Sequence, residues 1–262
     1  MGEYAGVNEL HAWRDDWIIK VKVYKRWSVK DDAGLPAMNF IFVDENGNRI
    51  NGFATNRALS YFEYVCTEGR WVRLTNFRIA NSEWEMKGRT TNHSHQIILT
   101  HEAKTGTLRP QTEDPFINLV EFSAIYRKSF AQYYPVDLMG SLENIGEVYT
   151  QCFPDGETKR VLEFTLKDAE DYSFQCFAYG DFAVDIKERC KGFTGPSAIC
   201  VLTDWTVKKN IDELTIHEHE NTGFSRFLLA PPIDQVYKFR NKITKKMMAA
   251  SSTQGTCATK VD

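Results

Sequence analysis

Along residues 17–27, WIIKVKVYKRW, apolar and polar positions alternate: Ile19, Val21 and Val23 share one side, Lys20, Lys22, Tyr24 and Arg26 the other. A repeat of two is the period of a strand with one buried face, so the segment predicts a strand with a basic outer face. AMNFIFVD (37–44) and RINGFAT (49–55) flank ENGN (45–48), whose Asn-Gly pair tolerates the positive φ angles of a tight turn, and a hairpin is predicted. Over 57–66 the period changes. Leu59, Phe62, Val65 and Cys66 fall on one helical face, behind Asn56 as a cap and ahead of Gly69 as a stop. WVRLTNFRI (71–79) and HQIILT (95–100) return to alternation on either side of a long polar stretch.

Residues 103–115, AKTGTLRPQTEDP, have no apolar period and read as a linker between a first domain (8–102) and a second (116–246). The second repeats the order of elements. A long bent strand over 134–150 precedes a hairpin of 160–168 and 172–179, a helix over 180–193, and strands over 197–207 and 213–219. IDQVYKFRNKI (233–243) predicts a closing helix, and 247–262 predicts a disordered tail. Five short strands with a helix between the third and fourth, twice over, define an all-β class: two tandem five-stranded Greek-key barrels of the OB-fold kind plus a C-terminal helix.

Composition narrows the function. With 42% hydrophobic residues, a mean hydropathy of -0.42 and no apolar run of membrane-spanning length, no transmembrane segment is expected. The N-terminal MGEYAGVNELHAW has neither the basic flank nor the apolar stretch of a secretory signal. The six cysteines include no C-x2-C pair, which argues against a zinc ribbon and for reduced thiols. His93 with His95, and His217 with His219, have the spacing of two ligands on one strand face, but each pair lacks a third ligand in sequence and is expected to face solvent on an edge strand. No nucleophile elbow, zincin motif or phosphate loop is present, so neither catalysis nor a cofactor nor a metal is expected. The net charge of -3 gives no global basic field, and the first 105 residues are closer to neutral than the acidic remainder.

Particular residues resemble the two central DNA-binding domains of the replication protein A large-subunit family, especially its divergent plant-type members. The resemblance spans roughly residues 8–245. It is carried by the strand beginning at Trp17, VDENGNRI (43–50), EGRW (68–71) and NFRIAN (76–81), then by VDLMGSLENIG (136–146), AYGDFA (178–183) and FLLAPPIDQVYKFRNKI (227–243). It implies a nuclear protein that binds single-stranded DNA, or RNA, in replication, repair or recombination, with partner subunits at the C-terminal helix. Aromatic faces stack bases in that family while basic side chains follow the backbone. By position, Trp84 and Tyr179 are the implied stacking residues, Lys22, Lys30 and Arg78 the implied phosphate contacts, and Arg26 and Arg89 further cations nearby. The family's other first-domain aromatic aligns with Thr55, where Phe53 on the same face is the substitute; Asn51 replaces an arginine, and the aromatic expected near Lys209 and Asn210 is missing. These departures leave a second reading open, a protein-docking module whose nucleic-acid groove has decayed. The milder charge and Trp84 point to the first barrel as the stronger binder.

Overall fold

The computed structural model describes residues 3–82, 90–127, 134–154, 156–193, 198–209, 213–220 and 223–254, apart from the side chains of 56 and 250–254. Two units emerge, Met1–Phe116 with Asn221–Phe224, and Ile117–Glu220 with Ser225–Asp262.

The first unit is a curled seven-stranded sheet. Its strands are β1 (Ile18–Lys30), β2 (Pro36–Val43), β3 (Arg49–Thr55), β4 (Trp71–Thr75), β5 (Arg78–Asn81), β6 (His95–Leu99) and β7 (Lys104–Leu108), in the spatial order β5-β6-β3-β2-β1-β4-β7. Every pairing is antiparallel except β3 with β6. Ile19, Val21, Phe40, Phe42, Ile50 and Leu74 fill the interior, and helix α1 (Leu59–Val65) adds Phe62 to it. Asp44 builds the β2–β3 turn: its Oδ1 accepts from the Asn46 and Asn48 amides at 3.0 and 2.9 Å, and Gly47 supplies the positive φ.

The second unit closes completely. β8 (Val136–Glu143), β9 (Tyr149–Cys152), β10 (Thr158–Lys167), β11 (Ser173–Tyr179), β12 (Ile199–Lys209) and β13 (Leu214–His217) include a ring β8-β10-β11-β13-β12, in which only β11 and β13 run parallel; β14 (Arg226–Leu229) adds to β12. Helix α2 (Phe122–Tyr126) adds Phe122 and Ile125 to the core, and helix α3 (Gly180–Arg189) buries Ala183 and Ile186 in it with Leu162, Phe164 and Trp205. Among the described residues the architecture is the expected pair of small β-barrels, the first a curled sheet and the second a closed five-stranded ring.

Five sequence expectations change in detail. The strand expected over 71–79 breaks at Asn76, whose φ of 55° ends β4 and turns Phe77 into the core. The bent strand expected over 134–150 becomes β8 and β9, separated at Asn144 with φ of 49°. The helix expected over 180–193 ends at Arg189. Part of the expected 103–115 linker is β7, which pairs with β4 from Trp71↔Leu108 to Thr75↔Lys104; an edge strand satisfies its backbone without needing apolar alternation. The tail expected from 247 is helical to Gln254, because α4 (Asp234–Gln254) meets no glycine or proline before Gly255. Val236 and Phe239 anchor α4 on Ile199 and Val201, while Lys242 and Lys246 pair with Glu170 and Asp171. Among the described residues no helix is long and apolar enough to cross a membrane.

Closure of the second barrel depends on Gly140, where β8 leaves β12 for β10. A Cβ there would lie 2.6 Å from the Lys167 carbonyl oxygen, backbone that cannot move without separating strands. Gly140→Ala should cost about 1–3 kcal/mol, as overpacking does. Gly106→Ala, whose Cβ would meet nothing closer than 4.0 Å, serves as the control. Urea unfolding of both variants checks this; equal midpoints would refute the closure argument.

Candidate nucleic-acid interface

Register decides which side chains face outward. In the first unit the cross-strand pairs Trp27↔Asn39, Asn39↔Phe53, Phe53↔Ile98 and Ile98↔Arg78 form one row on the outer face, from β1 to β5. Phe53 and Ile98 are half-buried and Arg78 is exposed, with a 3.7 Å ion pair to Glu102 that solvent screens heavily. Lys30 lies at the end of β1, and a groove of about 430 Å³ brings it together with Val29, Asn39, Phe53 and Gln96. Asp31 also lines it, and its carboxylate accepts from the amides of Ala33 and Leu35 and from the Thr55 hydroxyl; the Leu35 amide contributes most to holding it below the ordinary range.

Lys22 and Arg26 do not join this groove. The register of β1 shifts between Val23 and Lys25, a bulge that inverts the alternation beyond it. Arg26 therefore pairs across from core residue Phe40, and its guanidinium donates to the Glu63 carbonyl of α1. Lys25 takes the outward place; it is 3% exposed and its ammonium donates to the carbonyl of Phe224, which belongs to the same unit and packs on Trp27. Lys22 faces outward but donates to the Asp114 carbonyl at 3.4 Å, with the Phe116 ring 5.2 Å away. Trp84 and Arg89 lie outside the described residues.

In the second unit the equivalent row is Glu163↔Phe177, Phe177↔His217 and His217↔Thr206. Phe177 and His217 stack nearly parallel at 4.7 Å, and Tyr179 lies 6.1 Å from His217 at 15°. Phe153 meets Tyr179 edge-on at 5.9 Å. The strip thus has four rings, of which only Tyr179 was expected. Phe177 was legible, since it stands two residues before Tyr179 and a strand puts that pair on one face. His217 was expected to face solvent, or to pair with His219 on a metal. Instead the Tyr179 hydroxyl bonds its Nδ1 at 2.6 Å and the Thr215 hydroxyl its Nε2 at 2.9 Å. His93 likewise uses both nitrogens, on the His95 amide and the Val7 carbonyl.

Burial shifts the titration of this strip. It lowers His217 to about 4, with Lys208 adding to the effect, and raises Tyr179 to about 12. The neighbouring Glu218 accepts from the Tyr179 amide at 2.8 Å, yet burial pushes it up to about 7. Tyr149 donates to Glu163, a bond that raises the phenol to about 12. The platform is therefore neutral on its rings and acidic at its border.

Residues 8–128, just under half the chain, match a family model described as "Domain of unknown function DUF223". No curated protein matches the chain. Among solved structures, a replication protein A heterotrimer bound to single-stranded DNA aligns with a TM-score of 0.60 and 14% identity, covering 92% of this chain. The protein spans 55% of that structure's matched chain. A murine DNA-binding protein bound to double-stranded DNA aligns at a TM-score of 0.42 and 13% identity, over 83% of this chain and 98% of its own. The first of these likenesses establishes the fold: two OB-fold barrels in tandem.

Two opposed pH dependences follow from the strip. Glu218 holds its proton in the folded state above its ordinary value of 4.5, so its contribution to stability is full below about 4.5 and lost as pH rises toward about 7. His217 behaves oppositely: its contribution is full above 6.5 and lost as pH falls toward about 4. Between 4.5 and 6.5 the two slopes cancel. Chemical denaturation should show that His217→Phe leaves a protein less stable at pH 7 than at pH 5, and that Glu218→Gln leaves one that weakens on acidification, each by at most about 3 kcal/mol. Identical profiles for both variants and the parent would overturn the assignment.

Proposed function

We propose that the chain binds single-stranded nucleic acid, DNA in the first instance, by base stacking on the outer faces of both barrels, without catalysis. One observation carries this reading: Phe53 and Phe177 occupy the same place in the two barrels, each two residues before the end of the strand that leads into the crossover and opposite the parallel strand. Such rings give any base a π-face, worth about 1–3 kcal/mol each. Lys30 and Arg78 in the first barrel and Lys159 and Lys208 in the second flank the rings as backbone contacts. Lys22 and Arg26, already hydrogen-bonded within the first unit, add less. A nuclear role in replication, repair or recombination fits the heterotrimer's likeness and the sequence resemblance. Exposed Tyr237, Met247 and Met248 on α4 suit a partner subunit. The docking-module reading draws on Glu163 and Glu218 beside the second platform, which repel phosphate.

Fluorescence anisotropy with labelled single-stranded DNA, RNA and duplex tests it. Single strands should bind best, with a shallow salt slope of roughly -0.7 per phosphate engaged. Phe53→Ala and Phe177→Ala should each weaken binding by about 1–3 kcal/mol at unchanged melting temperature. Failure of all three nucleic acids to bind would favour protein docking.

A further inference from the structure

We infer that the second barrel carries a peptide-docking groove away from its ring strip, and that its occupant is a segment of a partner protein with an arginine beside an apolar residue. The inference stands apart from the nucleic-acid reading. A groove of about 300 Å³ is lined by the segment 119–123, the β10–β11 turn and α4. Its apolar wall includes Leu119, Met139 and Phe239, and the exposed ring of Tyr172 borders it at the turn. From Ser173 to Tyr179 β11 runs about 20 Å, at roughly 3.3 Å per residue, so the groove and the ring strip lie toward opposite ends of the hairpin.

Charge selects the occupant. One ammonium, Lys242, lines the groove together with three carboxylates, Glu121, Asp168 and Glu170, and it is already bonded to Glu170. Asp168 gives Oδ1 to the amides of Glu170 and Tyr172, both at 2.9 Å, and its other oxygen makes no hydrogen bond among the described residues. Burial raises this carboxyl above its ordinary range, and Glu170 and Asp171 add to the effect. Phosphate is repelled by such a border, and a metal ion finds too much carbon in the walls. A guanidinium suits both surfaces, because it is flat and weakly hydrated, lies on an aromatic face, and donates in pairs to a carboxylate. The aromatic face is held ready. Tyr126 packs against Tyr172 at 5.5 Å, stacks on Phe174 at 4.7 Å, and donates its hydroxyl to the Ser173 carbonyl at 2.6 Å. An apolar neighbour of the arginine then covers the half-buried Leu119 and Met139, a contribution that a free cation lacks.

Selection of a random peptide library, displayed on phage, against the full chain tests this. It should enrich sequences that place arginine next to leucine, phenylalanine or methionine. Fluorescence anisotropy of one enriched, labelled peptide then reads each variant. Asp168→Asn keeps an oxygen for the two turn amides and should weaken the peptide about 10-fold at unchanged melting temperature. Glu121→Gln, at an exposed position, should weaken it about 3-fold, and it serves alone if the asparagine variant folds poorly. A selection that enriches nothing, enriched peptides without a basic residue, or a peptide that binds both variants as tightly as the parent would each overturn the inference. A concentration-dependent dimer of the chain that Asp168→Asn abolishes would put a second copy in the groove and overturn it as well.

Discussion

In both barrels one constraint organises the rest: the pairing of two parallel strands, β3 with β6 and β11 with β13. A hairpin cannot join parallel neighbours, so the chain must leave the sheet, cross, and return in the same direction. In the first unit that crossover contains α1, β4 and β5, and in the second α3 and β12. The helices bury Phe62 in one core and Ile186 in the other, and the returning strand arrives at a fixed register. Because side chains alternate with a period of two, that register settles which residues face outward. Phe53 meets Ile98, and Phe177 meets His217, as consequences of how the crossovers end.

A surface made this way does not depend on net charge. The protein is acidic, and among the described residues the cations placed on its outer faces are few, so in the proposed mode of binding phosphate neutralisation contributes modestly and stacking carries more. Stacking needs flat rings held open, and the second barrel arranges this by giving its polar groups to one another. The Tyr179 hydroxyl is occupied by His217, and the Glu163 carboxylate by Tyr149 and, at 3.4 Å, the Gln175 amide. A side chain committed to such a network loses less freedom when a base arrives, which lowers the entropic cost of binding.

Much of this was legible in the sequence, and the rest was hidden for identifiable reasons. Alternation located β1 and the β10–β11 hairpin because each has a wet face and a dry one, and the Asn-Gly turn located β2 and β3. It failed at Arg26, since a bulge inverts facing without any glycine to announce it. It missed β7, an edge strand whose residues, Lys104–Leu108, bury little. Phe53 and Arg78 share the expected face and Lys30 lines the groove beside Phe53 from the end of β1, whereas Asn39 was read as part of an apolar run, AMNFIFVD, in which a lone amide carries no signal until its burial is known. His217 was invisible for a related reason: its neighbour Phe177 lies forty residues away in sequence and meets it only through the parallel pair.

The two rows also differ at one position beside the ring. At the place before the aromatic ring the first barrel has Asn39 and the second Glu163, an amide against a carboxylate on equivalent strands. The carboxylate is satisfied by its neighbours; the amide is not. A satisfied polar border stabilises the unit that contains it and leaves the stacked rings to accept any base. An unsatisfied buried donor lowers the stability of the barrel that holds it.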